Sequence, residues 1–314
     1  MSTDQPGQDR SVLVLGGGPD AERDISITSA TAVHDAAVRA GLDAELLLID
    51  RPDQTEVASW AGRTVVPVLH GRFGEGGELQ RLMERAGVRF VGSNSASARM
   101  AMDKMGTKLA AARVGVPSTP ASIIDPGDAE SPVGLPAVVK PVADGSSVGL
   151  HICKTEAQWT EAIESVRQDQ ITNPHRAYMV EPLVTGRELT ASLLGNPDGS
   201  LRALALVEIA PASGVYDFEA KYDRQDTCYT VSPDLAEGMT SRISDLAVRV
   251  GRALGVRHLA RVDFFLPAQG DPVLLEVNTM PGFTPTSLFP MAALAEGTDL
   301  PALIRYLVGL ADNN

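Results

Sequence analysis

Asp263 and Glu276 stand in two apolar runs, 262–266 and 273–277, that flank the turn-rich segment Pro267-Ala268-Gln269-Gly270-Asp271-Pro272. That is the pattern of a β-hairpin. If Leu266 faces Val273 across the turn, antiparallel pairing sets Asp263 opposite Glu276 and Arg261 opposite Asn278. Side chains alternate faces along a strand, so Arg261 and Asp263 share one face, Glu276 and Asn278 share one, and all converge. Opposed carboxylates in an apolar sheet repel each other unless positive charge lies between them. Two carboxylates and a side-chain amide form an all-oxygen set suited to Mg2+ or Mn2+, with no thiolate or imidazole nearby to select zinc. The competing reading is a solvated strand face with ordinary ion pairs; Arg261 and Asn278 beside the carboxylates favour the metal. Arg261 cannot ligate a cation, but it can stabilise negative charge on a phosphate or a tetrahedral oxyanion.

Three further places carry chemistry-bearing residues. The apolar run Ala137-Val138-Val139 ends in Lys140, and the following loop, Asp144 to Gly149, offers backbone N–H groups and the hydroxyls of Ser146 and Ser147. Such a loop suits phosphate. It is not a Walker loop, because G-x-x-x-x-G-K-[ST] is absent. Glu22 follows the first apolar run and is either a first-turn residue favoured by a helix dipole or a ligand contact. His70 sits in HGRFGEGGE, where glycines let a backbone approach a small ligand; the alternative is a turn histidine.

The elements that must position these residues can be read from periodicity. Ser11 to Leu15 reads as a strand, and Ile27, Ala30, Val33, Ala37 and Val38 keep a helical spacing up to Gly41. Strands at 44–49, 64–69 and 88–91 with a helix at 78–86 predict an open parallel sheet with crossover helices. Ligands on such sheets lie at the carboxyl ends of strands, where Glu22 and His70 fall. GGGP lacks the G-x-G-x-x-G spacing, so a dinucleotide site is not expected.

Farther on, Ser95 and Asp103 are candidate N-caps of a helical run closed by Gly115. Thr155 and Gln158 suggest a capping box for a helix through Val166. The run 177–184 predicts a strand leaving into a linker, and strands at 187–194 and 201–209 are joined by the turn signal Asn196-Pro197-Asp198-Gly199. The polar segment 210–232 has no clear period and reads as a long functional loop, a lid. Ser232 and Pro233 then start a helix that stops near Gly255.

A chain of 314 residues with 44% hydrophobic content can bury a sizeable core and fill two or three domains. Its net charge of −13 argues against a nucleic-acid-binding surface. The opening residues are polar and no apolar run approaches membrane-spanning length, so neither a membrane partner nor a signal peptide is expected and a cytoplasmic location is. Cys153 and Cys228 have no paired spacing, which favours free thiols.

The segments GGGPDAERDIS, HGRFGEGGELQ, AMDKMGTK, VVKPVADGSSVG, EPLVTGRE, YDFEAKY, RVDFFL and LEVNTMPGFTPTSL occur in an order and spacing that resemble the D-alanine–D-alanine ligases of the ATP-grasp superfamily. The resemblance implies a three-domain α/β ATP-grasp fold, divided at 1–92, 93–179 and 180–314. It implies ATP-dependent joining of two D-alanines for peptidoglycan precursor synthesis, and a homodimer. Lys104, Lys140 and Lys221 resemble the phosphate-binding lysines, with the loop carrying Ser147 closing over the phosphates. Glu181 and the backbone of Leu183 and Val184 resemble the adenine-reading linker, and Glu188 the ribose ligand. Asp263, Glu276 and Asn278 match the ligands of two Mg2+ or Mn2+ ions. Glu22 resembles the group that holds the first substrate's ammonium, linked through Ser146 to Tyr222. His70, Arg261, the Gly282 backbone, Ser287 and Leu288 resemble the shell around the two D-alanines.

The chain departs from the family's usual pattern at Gly76, Arg81, Pro182 and Pro285-Thr286, the last beside the second substrate. Rival readings are a ligase that takes D-lactate or D-serine second, and a nucleotide-binding regulatory protein without catalysis. The EAKY motif at 219–222 resembles the D-alanine users. Intact metal and phosphate positions disfavour the regulator.

Overall fold

The computed structural model describes residues 11–145, 148–212 and 226–313. Ser146, Ser147, Lys221 and Tyr222 lie outside the described residues, as does the middle of the expected lid. The first sheet is wholly parallel, in the order β2-β1-β3-β4, from β1 (Val12–Gly17), β2 (Ala44–Ile49), β3 (Thr64–Pro67) and β4 (Arg89–Phe90). Helix α1 (Arg23–Arg39) makes the first crossover. It lies so close to β1 that a Cβ on Gly16 would stand 2.6 Å from the Ala30 Cβ, so glycine is required there. The short helices α2 (Gln54–Ala58) and α3 (Gly71–Glu75) precede α4 (Glu78–Arg85).

Two helices, α5 (Ser95–Met102) and α6 (Lys104–Arg113), lead to an antiparallel sheet of order β5-β8-β6-β7. Its strands are β5 (Ser122–Ile123), β6 (Ala137–Pro141), β7 (His151–Cys153) and β8 (Tyr178–Pro182), with α7 (Glu156–Thr172) between the last two. A larger antiparallel sheet runs β12-β11-β9-β13-β14, with β10 also on β9. It comprises β9 (Arg187–Gly195), β10 (Leu201–Ala203), β11 (Val207–Pro211), β12 (Thr227–Val231), β13 (Leu259–Leu266) and β14 (Val273–Asn278). Helix α8 (Met239–Leu254) precedes β13, and α9 (Leu288–Ala295) and α10 (Leu300–Asp312) close the chain.

Several local expectations need correction. Asn94, not Ser95, caps α5 by accepting the Ser97 N–H at 2.9 Å, while Ser95 donates its hydroxyl to Glu84. Asp103 caps α6 as expected, accepting from Gly106 N at 2.9 Å. Thr155 caps α7, but Gln158 Oε1 accepts from Lys154 N, one residue upstream of a capping box, and the helix continues to Thr172. The strand read at 201–209 is two pieces, β10 and β11, that pair with different parts of β9. Residues 227–231 of the supposed loop form β12 against β11. Helix α8 begins at Met239 behind the N-cap Gly238, well after Ser232, whose positive φ of 51° is not helical.

The cores cross between sheets. Leu303, Ile304, Leu307 and Val308 of α10 pack in one cluster with Val12 and Val14 of β1 and Val33 and Ala37 of α1. Burying each Leu or Ile contributes roughly 1.5–3 kcal/mol, so the chain's last helix helps hold its first sheet. Likewise Ala101, Ala110 and Ala111 of α5 and α6 pack with Leu193, Val262 and Leu274 of the large sheet. Among the described residues no helix is long and apolar enough to cross a membrane.

Candidate active site

Asp263 pairs with Glu276 and Arg261 with Asn278, as the hairpin argument expects, yet nearer the turn Phe265 and not Leu266 pairs with Val273. The difference is a β-bulge after Asp263, which leaves Leu275 as the extra residue on β14. A bulge breaks strict alternation, so Leu275 and Glu276 both line the same cavity. Asp263 is almost fully buried. Its Oδ1 accepts from Thr190 Oγ1 at 2.6 Å and Arg261 Nε at 2.9 Å, and its Oδ2 accepts from Arg261 Nη2 at 2.9 Å. Asn278 Oδ1 accepts the Met280 N–H at 2.8 Å.

That cavity, about 350 Å3, opens between the small antiparallel sheet and the hairpin. Lys104, Lys140, Glu181, Leu183, Val184, Glu188, Asp263 and Glu276 line it, together with Asp144 and Gly145 of the proposed phosphate loop. A larger surface groove, about 680 Å3, lies at Arg39 and Arg305, and none of the candidate site residues lines it. Lys104 is largely buried; its Nζ donates to the Asp144 carbonyl at 2.5 Å and lies 3.9 Å from Glu276 Oε2. Leu183 donates its N–H to Pro136 O at 3.0 Å.

Glu181 is held from both sides. Lys140 contacts its Oε1, while Lys108 Nζ and Thr119 Oγ1 each stand 2.7 Å from its Oε2. Burial pushes this carboxyl up, but the two ammonium groups outweigh burial and hold it at about 2. Lys108 is lowered too: desolvation, with a smaller contribution from the nearby Lys140, outweighs the upward pull of Glu181.

The other end of the site gathers around Gly282. A Cβ there would stand 2.9 Å from Ser287 Oγ, 3.7 Å from Ser29 Oγ and 3.9 Å from His70 Nε2. Ser287 Oγ accepts from Thr284 N at 2.9 Å, and Leu288 is buried behind it as the first residue of α9. His70 follows β3 as the N-cap of α3 and is buried; its Nε2 has no hydrogen-bond partner among the described residues. Desolvation lowers its pKa against the pull of Glu22, so the imidazole is neutral. Glu22, at the start of α1, is also buried, and a Cβ on Gly145 would lie 3.5 Å from its Oε2 and 3.9 Å from Glu75 Oε1. Burial beside Glu22 drives the Glu75 carboxyl well above the ordinary range.

The residues present fit a divalent cation. Among the described residues no cluster of three His, Cys, Asp or Glu side chains is assembled; the donor set is two carboxylates and an amide. Asp263 accepts from Thr190 Oγ1, from Arg261 Nη2 and, through both oxygens, from Arg261 Nε, so a cation would share this carboxylate with Arg261, while Asn278 Oδ1 keeps a second lone pair beyond the Met280 N–H. Oxygen donors beside a Lys-lined cavity suit a cation that bridges phosphates.

Sequence reasoning missed Lys108, Thr119, Ser29, Glu75 and Thr190. Lys108 carried a usable signal, since it lies four residues after Lys104 in AMDKMGTK and therefore on the same helical face. Glu75 lies inside the glycine-rich stretch after His70, and only the turn of α3 aims it inward. Gly76, where the family pattern has Asp, could not take a side chain on this backbone: its Cβ would fall 2.2 Å from Arg72 O.

Comparison with known proteins gives the following. The profile of the family described as "D-ala D-ala ligase C-terminus" matches residues 125–309. A D-alanine–D-alanine ligase from Desulforudis audaxviator is 37% identical over 308 residues, covering 96% of this chain and 98% of the relative. One from Pelotomaculum thermopropionicum is 36% identical, covering 96% and 97%. Among solved structures, the D-alanine-D-alanine ligase from Coxiella burnetii superposes with a TM-score of 0.80 at 28% identity, covering 96% of this chain and 93% of that one. The VanG D-Ala:D-Ser ligase from Enterococcus faecalis follows at 0.79 and 25%, covering 97% and 100%.

Proposed function

The chain belongs to the D-alanine–D-alanine ligase family and has its ATP-grasp fold, and from that premise we propose that it joins two D-alanines at the expense of ATP, supplying D-alanyl-D-alanine for peptidoglycan precursors. The observation that carries the reading is one cavity shared by Lys104, Lys140 and the hairpin carboxylates Asp263 and Glu276. Cationic side chains beside oxygen ligands are what a nucleoside triphosphate tail requires.

A carboxylate is a poor electrophile in water, so amide formation needs a better leaving group. A carboxylate oxygen of the first D-alanine attacks the γ-phosphorus of ATP, the bond to the β-phosphate breaks, and ADP leaves. The amine of the second D-alanine attacks the acylphosphate carbonyl, and phosphate departs with the oxygen it received. Lys104, Lys140 and Lys221 offset the charge of the phosphates, Glu181 fixes Lys140, and Glu188 and the Leu183–Val184 backbone hold the nucleoside. Mg2+ or Mn2+, two ions held by Asp263, Glu276 and Asn278, would neutralise charge on the transferring group. Glu22 orients the first ammonium, and Ser146, Ser147 and Tyr222 complete that side by the family pattern. Arg261 and the Gly282 N–H stabilise the tetrahedral oxyanion, each such donor contributing roughly 3 to 4 kcal/mol. His70, neutral because it is buried, has Nε2 available to take the proton from the incoming amine; Ser287 and Leu288 bound the second substrate.

Within this reading the chain is divided as a substrate unit at 1–92, a central unit at 93–179 and a catalytic unit at 180–314, and acts as a cytoplasmic homodimer. D-serine as the second substrate is the other reading, favoured only by the likeness to VanG. Mass spectrometry of the product from ATP, Mg2+ and D-alanine tests the proposal: a D-alanine dipeptide is expected, with none from L-alanine and little from D-serine or D-lactate acceptors. ADP release without any dipeptide would overturn it.

A further inference from the structure

A line of charged groups runs into the nucleotide cavity from behind. Asp169, near the end of α7, accepts from Arg176 Nη1 at 2.9 Å and from the Tyr178 hydroxyl at 3.0 Å. Arg176 turns its Nε to Asp144 Oδ2 at 2.7 Å. The backbone carbonyl of the same Asp144 accepts from Lys104 Nζ at 2.5 Å, and Lys104 reaches Glu276 of the hairpin at 3.9 Å. Backbone bonds fix the same path, with Lys104 N donating to Val142 O and Val142 N to Ala177 O, each at 2.9 Å. At the other described end of the 144–149 segment, a Cβ on Gly149 would stand 3.2 Å from the Tyr178 hydroxyl.

This arrangement has a mechanical consequence. A lysine ammonium is a point charge on a flexible stem, and it acts on a phosphate only where something holds it. Here the holder is a carbonyl whose own residue is clamped through its side chain. The Arg176 fork satisfies two carboxylates at once and is largely shielded from water, with about 23% of the side chain exposed; such a pair keeps its geometry far better than a surface ion pair. Neither Arg176 nor Asp169 lines the cavity.

We propose that Arg176, anchored by Asp169 and Tyr178, is a positioning residue that sets Lys104 for the ATP phosphates by clamping Asp144. The inference rests on the reading of Lys104 as a phosphate ligand. It separates two functions that a general structural role would mix: binding of ATP, which passes through Lys104, and binding of D-alanine at the far end of the site, which does not.

Steady-state kinetics on the full chain, with ATP and D-alanine varied in turn, tests it in a cycle of Arg176→Gln, Lys104→Ala and the double variant. Arg176→Gln is expected to raise KM for ATP about tenfold and to leave KM for D-alanine within about twofold. On the Lys104→Ala background it should add less than about twofold, because residues acting in series do not add. Arg176→Lys should recover part of the loss, and Asp169→Asn, which keeps the packing volume, should move KM for ATP the same way by about threefold. Additive effects in the cycle overturn the proposal, as does an equal rise in both KM values or an unchanged KM for ATP. If Lys104→Ala alone leaves KM for ATP unchanged, the assignment of Lys104 has failed, and the relay falls with it. Should Arg176→Gln not fold, Asp169→Asn in the same cycle decides by the same criteria.

Discussion

Arg261 has two demands on one guanidinium. It forks onto the carboxylate of Asp263 at 2.9 Å from both Nε and Nη2, and the proposed chemistry asks it to face an oxyanion as well. A planar fork with five donors can grip the carboxylate bidentately and still face a second anion, whereas an ammonium has no such fork. Arg261→Ala should therefore lower kcat by about 100- to 1000-fold with KM for ATP nearly unchanged, and should raise the Mg2+ concentration needed for half-maximal rate, since Asp263 loses its orienting partner. Arg261→Lys should recover little. A parallel loss of ATP binding would reassign Arg261 to the nucleotide; turnover and metal titrations read both. At this scale the convergence of Arg261, Asp263, Glu276 and Asn278 was legible, because period-two alternation makes a strand's faces readable from residue types alone. The place of Lys108 on the face of Lys104 was legible too, but not that it and Thr119 share Glu181 with Lys140, a contact between residues 62 positions apart in the case of Thr119 and Glu181.

The elements that hold the site respond to acid in a way the structure specifies. His258 begins the turn into β13 and accepts the Gly92 N–H, at the end of β4, on its Nδ1 at 3.0 Å. Burial, helped by Arg257, lowers its pKa to about 4 from 6.5. As pH falls below 6.5 the unfolded chain takes up a proton that the folded chain refuses, so stability is lost between pH 6.5 and about 4 and the loss levels off below. The full effect is on the order of 3 kcal/mol. Glu181 adds a second window, since its depressed pKa contributes stability that disappears as pH falls from about 4.5 towards 2. Urea titrations across pH 4 to 7 should show the first loss in the wild-type chain and a flattened slope in His258→Asn, whose side chain tolerates the positive φ of 53° at that position; an unchanged slope would remove His258 from the account. Helix ends were legible where a glycine with positive φ closes them, at Gly41, Gly115 and Gly255. The bulge at Leu275, the short helix α3 and strand β12 were not, because each is decided by pairing or packing and leaves no period in the sequence.

At the scale of the molecule, three sheets are tied together by helices that belong to none of them alone. Helix α10 returns to the first sheet and α6 packs on the third. The lysine that α6 presents at its first turn thereby meets a carboxylate on the hairpin. Order along the chain shows the parallel first sheet, since strand and helix alternate there; it does not show which later helix covers which sheet. By the proposed function, this assembled cleft activates a carboxylate by phosphoryl transfer. D-alanine labelled with 18O in its carboxylate, incubated with the chain, ATP and Mg2+, tests it most directly. Each phosphate released is expected to carry one 18O atom from the first D-alanine, and release of unlabelled phosphate alongside dipeptide would rule out transfer to the carboxylate.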